Sequence, residues 1–149
     1  MSTENSYTQD EKLMAALAHG SIIVGQMGII AAIVIYLNQK DKSVYAARQA
    51  AQAAVYQLIG FAVILLGWFC WGGFYALTFI PVINNPSQFE DAPPPIFFVG
   101  MGSMVCPFIL MGIWWLYGLF AAIQTWMGKE FKYAVVGNMV EQRLGKSAV

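Results

Sequence analysis

With 149 residues, eight basic and eight acidic side chains, the chain has no net charge, and only 11% of it is charged against 58% hydrophobic. A soluble domain carries about 25% charged residues, and balanced signs give no electrostatic reason for a nucleic-acid partner. No charged residue occurs between Lys12 and Lys40, between Arg48 and Glu90, or between Asp91 and Lys129. Each gap exceeds the roughly 20 apolar residues that a membrane-crossing helix needs, so the composition predicts an all-α integral membrane protein, a single membrane domain over residues 1–149.

The first twelve residues are polar and lack the basic start of a secretory signal, so the first apolar run is expected to stay as a span. Thr8-Gln9-Asp10-Glu11 fits a capping box, which predicts a helix start near Gln9. The first transmembrane helix is expected over about 13–37, followed by a polar turn over 38–43. Residues 44–57 are alanine-rich with Arg48, Gln52 and Gln57 among small neighbours, which predicts an interfacial helix. It leads into a second span over about 58–80, ending at Pro81.

Residues 81–95 contain five prolines and are expected to form a stiff, extended outer loop. The apolar run from Ile96 to Met127 is too long for one upright crossing, because at 1.5 Å per residue it reaches roughly 48 Å against about 30 Å of hydrocarbon. Pro107 cannot donate to the carbonyl of Ser103, so the long third helix is expected to break there. Its first part, 96–106, is an interfacial or re-entrant piece or a kinked extension, and the third span is 108–127. The tail, 128–149, is polar, with an amphipathic helix expected over about 135–144. Three spans put Lys40, Lys42, Arg48, Lys129, Lys132, Arg143 and Lys146 on one side and Lys12 with Glu90 and Asp91 on the other. The positive-inside rule then places the N-terminus outside and the C-terminus in the cytoplasm.

Catalytic signatures are missing. No carboxylate lies in a span, so no paired acid–base site forms within the membrane. One histidine and two distant cysteines, Cys70 and Cys106, cannot build a zinc site, so no metal is expected. The two thiols are expected to be buried and free. Candidate functional residues are therefore the few polar groups of the apolar runs. His19 and Gln26 lie seven apart, so they share a helix face. With Gln52 and Gln57 they are expected to join helices through hydrogen bonds worth about 1 kcal/mol each. An alternative follows from Ala15, four before His19: the A-x-x-x-H spacing of pigment-binding helices, which would make His19 a pigment or haem ligand. Otherwise no cofactor is expected. Gly60 and Gly67, seven apart, predict a close helix contact and weakly favour a homo-oligomer. Trp68, Trp71, Trp114, Trp115 and Trp126 read as interface anchors and lipid contacts.

"DEKLMAALAHGS", "NQKDKSVYAARQAAQAAVYQ" and "AAIQTWMGKEFKYAVVG" together resemble a family of small bacterial membrane proteins of unknown function. That family is grouped with the chloroplast inner-envelope import component and is called Tic-twenty-like. The resemblance covers roughly residues 10–138. It rests most on Leu17-Ala18-His19, the turn Lys40-Asp41-Lys42-Ser43, Gln52-Ala53 with Gln57, and Gly128-Lys129-Glu130 with Tyr133. The chain departs from it at Gln49, where the family often has histidine, and at Ala134, where it tends to have proline. The resemblance implies a compact helical module in a bacterial plasma membrane and, by analogy, a transport or translocation element. The absent catalytic set favours a different expectation. The chain is then a non-enzymatic accessory or scaffold subunit that binds other integral membrane proteins through its spans and outer loop, or else a subunit of a pigment- or haem-bearing complex.

Overall fold

The computed structural model describes residues 7–89 and 92–146, which form helices α1 (Gln9–Gly20), α2 (Gln26–Gln39), α3 (Val44–Leu77), α4 (Ile80–Asn84), α5 (Pro95–Gly102), α6 (Val105–Trp126) and α7 (Val136–Lys146), with no strand among the described residues. Glu90 and Asp91, the acidic pair of the expected outer loop, lie outside these residues. The chain divides into two compact units, one made of residues up to Phe61 together with those from Trp114 onward, the other of Ala62–Ile113.

The helical class is as expected, but the number of spans is not. Two stretches are long and apolar enough to cross a membrane, Val44–Asn84 and Pro95–Trp126. The expected first span, 13–37, is a helical hairpin. α1 begins at the capping box: Thr8 accepts from the Glu11 backbone, and the Glu11 carboxylate accepts from the Thr8 backbone at 2.7 Å. After Gly20 a single 3-10 turn over Ser21–Val24 leads to Gly25, whose φ of 61° and ψ of −131° suit only glycine. The chain then reverses into α2. The Ser21 hydroxyl lies 2.9 Å from the carbonyl oxygen of Gly28 across the turn, and at the open end the Ser43 hydroxyl donates to Glu11 at 2.6 Å. Gly28 is obligatory, because a Cβ there would sit 2.1 Å from the backbone oxygen of Ser21.

The expected interfacial helix is also absent as a separate element. Residues 44–57 contain neither glycine nor proline, and α3 runs unbroken through them into the apolar stretch, 34 residues in all. Its first turns do not lie flat on a surface: Tyr45, Ala46, Ala47, Gln49, Ala50, Gln52, Ala53, Tyr56 and Gln57 are buried. The alanines let α1 and α2 approach closely, giving a core cluster of Ala18, Ala32, Ala50 and Ala53. The end of the N-terminal segment meets the segment after α6. Tyr7 stacks on Tyr45 with ring centroids 3.7 Å apart and donates to Glu130 at 2.6 Å, while Arg48 pairs with the same carboxylate at 2.5 Å.

In the second unit the long apolar run breaks at Ser103–Met104 rather than at Pro107, which occupies the first turn of α6 where its missing N–H costs nothing. Ser103 ends α5 by donating to the Gly100 carbonyl at 2.7 Å and accepts from the Trp71 indole at 3.2 Å. The loop expected to be extended contains α4, with Pro81 in its first turn, and a 3-10 turn over Pro86–Phe89. Trp68, Trp71 and Tyr75 follow one face of α3, with Trp71 and Tyr75 stacked at 5.2 Å and Trp68 edge-on to Phe108. Cys70 and Cys106 are free, as expected, but exposed. They face outward with the apolar side chains around them, which suits lipid rather than a protein core.

Candidate functional site

The polar groups expected to join helices gather in the first unit around His19, which is 1% exposed. Its place follows from α1, where Ala15, Ala18 and His19 share the buried face. Nδ1 lies 3.0 Å from the Tyr133 hydroxyl and Nε2 lies 3.0 Å from Gln49 Oε1. The Gln49 amide nitrogen donates to the Phe131 carbonyl at 3.0 Å. That carbonyl only accepts, so the amide orientation is fixed and Oε1 faces the imidazole. His19 Nε2 therefore carries the proton and Nδ1 accepts from Tyr133. Burial holds the imidazole at about 4, well below its ordinary 6.5, against a smaller opposing effect of Gln49. The same burial raises the Tyr133 phenol.

Tyr133 continues a column of rings. It stacks on Tyr56 at 4.0 Å and 6°, and Tyr56 stacks on Trp114 at 4.1 Å and 3° while donating to the Trp114 carbonyl at 2.9 Å. Gly60 makes room for this column, since a Cβ there would lie 2.1 Å from the Trp114 indole. Gln52 accepts from the Tyr133 backbone at 3.4 Å. Gln57 donates to the Ala18 carbonyl at 3.0 Å and lies 3.2 Å from the Ser21 hydroxyl, tying α3 to the hairpin. Its Oε1 is buried without a partner.

The structure thus brings together His19, Gln52, Gln57 and Gly60. Gln26 does not join them: the turn at Gly25 ends the helix it was to share with His19, and its side chain is exposed at the start of α2. Gly67 has nothing within 4 Å of the position of a Cβ, so it makes no close contact in the chain. Trp114 is part of the ring column rather than a lipid anchor, whereas Trp126 is 51% exposed. Tyr45, Arg48, Tyr56 and Glu130 lie inside the quoted stretches, but nothing in those stretches marks them as partners.

As a chemical site the cluster is closed. Both imidazole nitrogens are engaged, and a metal or macrocycle at His19 would have to displace Tyr133 or Gln49. Ala15, the small residue of the pigment-type spacing, is itself fully buried. No group of three or more metal-binding side chains gathers among the described residues. One consequence is measurable. The native state keeps His19 neutral, whereas an unfolded chain protonates it below about 6.5. Stability is therefore full above 6.5 and falls as pH drops toward about 4, by roughly 3 kcal/mol in all. Thermal midpoints in detergent across this window are expected to show the loss, and His19→Asn to flatten it.

Neither a curated protein sequence nor a solved structure is measurably similar to the chain. The resemblance to the Tic-twenty-like proteins is overturned by the family comparison, which matches a different family model over residues 10–140. The short motifs quoted for the first family did not separate it from the second. The chain belongs to the MamF/MmsF family, described as the magnetosome magnetite crystal formation protein family.

Proposed function

We propose that the protein is a non-enzymatic accessory subunit of the magnetosome membrane that takes part in magnetite crystal formation together with other membrane proteins. The family match over residues 10–140 carries this reading. Two further observations support it. The apolar stretches keep most of their surface outward, with 22% and 6% of the two spanning windows buried, which suits lipid and neighbouring helices. The buried polar groups largely satisfy one another, which suits a structural rather than a reactive centre.

In this reading α3 and the run from α5 to α6 each cross once, so both termini lie on one side. All eight basic residues then fall there, a cleaner charge asymmetry than three spans give. The basic side is then cytoplasmic and the opposite side faces the vesicle lumen. Deletion of the gene in its magnetosome-forming host is expected to leave vesicles in place and make the crystals smaller or misshapen, with rescue by the intact gene. Crystals of normal size and habit in the deletion strain would refute the proposal. Purification in mild detergent is expected to bring down other magnetosome membrane proteins in fixed ratio.

A further inference from the structure

The hairpin α1–α2 has a shape and a surface that nothing above assigns. Its arms hold 12 and 14 residues, about 18 and 21 Å of helix, which is well short of the roughly 30 Å hydrocarbon thickness. Its open end is polar, with Gln9, Asp10, Glu11 and Lys12 on one arm and Asn38 to Lys42 at the end of the other, and is closed by the Glu11–Ser43 hydrogen bond. Its tip is apolar and exposed: Ile23, Val24 and Met27 are each more than 60% accessible. The outer face of α2 continues this surface through Ile30, Val34 and Leu37. Between Lys12 and Lys40 there is no charge.

We propose that residues 9–43 are a wedge occupying one leaflet only, entering and leaving on the basic side of the membrane, and that the wedge favours membrane bulging toward that side. The occupant of the exposed face is the acyl-chain layer. The arm length reaches roughly the bilayer midplane and no further. The polar open end, with Lys12, Lys40 and Lys42, sits at the level of anionic headgroups, where basic residues are favoured. A body inserted in one leaflet enlarges that leaflet alone, and the bilayer relieves the imbalance by curving toward it, which makes such insertion curvature-sensitive. A vesicle budded into the cytoplasm presents this curvature on its cytoplasmic face. The inference rests on the reading of the chain as a membrane protein with both termini on one side, and not on any part in mineral growth.

The test uses the full chain with Cys70 and Cys106 replaced by alanine and one new cysteine at a time, in vesicles of phosphatidylethanolamine and phosphatidylglycerol. Asp10→Cys, Asp41→Cys and Asn138→Cys are expected to react with an impermeant thiol reagent from the same side. A nitroxide or fluorophore on Val24→Cys is expected to report hydrocarbon depth. The fraction of chains with the basic side outward is expected to rise several-fold from large to small vesicles, and Val24→Asp, at an exposed tip, to remove that rise. Opposite sidedness of positions 10 and 41 would restore a span and overturn the wedge. So would a water-exposed position 24, a tip-to-tip disulfide between two Val24→Cys copies, or an orientation indifferent to vesicle size. No iron or crystal enters the experiment, so its failure is distinct from failure of the role in magnetite formation.

Discussion

Gly28→Ala is expected to leave little folded protein. The added methyl group would stand 2.1 Å from the Ser21 backbone oxygen and 2.7 Å from Gln57 Oε1. The first neighbour is main chain inside a tight reversal and cannot rotate away. Relief requires prising α2 from the turn, which breaks the contact of the Ser21 hydroxyl with Gly28 and loosens the Gln57 bond to Ala18. Overpacking of this kind costs about 3 kcal/mol or more, a large share of the marginal stability of a small domain. Size-exclusion profiles and thermal midpoints in detergent give the readout. Gly67→Ala is the matched comparison. Its Cβ meets open space, and its stability should equal or slightly exceed that of the parent.

Tyr56→Ala is expected to cost about 3–5 kcal/mol. Tyr56 is the middle ring of three, and its removal leaves Trp114 and Tyr133 facing a cavity. Tyr56→Phe keeps both stacks and loses only the hydrogen bond to the Trp114 carbonyl, so about 1 kcal/mol is expected. With Trp68, Trp71, Trp115 and Trp126 replaced by phenylalanine, tryptophan fluorescence reports on the Trp114 environment and should shift strongly in the alanine variant only. Equal losses for the two variants would mean that the hydroxyl, not the stack, holds the column.

The sequence made some of this legible. The Thr8–Glu11 capping box marked the start of α1 because both of its bonds are local. The tail helix is readable from its periodicity, and His19 stands out as the one histidine of the apolar runs. The hairpin was not readable as such. Its residues make an apolar run long enough to span, and length dominated over Gly25 and Gly28, which alone could have been ordinary glycines of a membrane helix. What decides the reversal is distant: Gln57 bonded to Ala18, and Ser43 bonded to Glu11. The partners of His19 were named for another reason. Tyr133 and Gln49 entered as a motif residue and a departure from one, and only the fold shows that they hold the two sides of one imidazole. The continuity of α3 was missed because polar residues among alanines suggested an aqueous boundary, whereas Gln49, Gln52 and Gln57 are polar because they bond inward.

The two bonds that fasten the beginning of the chain to its end join residues 114 and 123 positions apart, His19 to Tyr133 and Tyr7 to Glu130. A ribosome makes the early partners long before the late ones. Until the segment after α6 emerges, His19 lacks its phenol, Tyr56 lacks one of its neighbouring rings, and Arg48 has no carboxylate to hold. A nascent or truncated chain therefore carries an unfinished polar surface among apolar helices, the kind of surface that proteases and chaperones recognise. The segment after α6 closes the polar groups of the first third of the chain, and a chain that lacks it leaves them open.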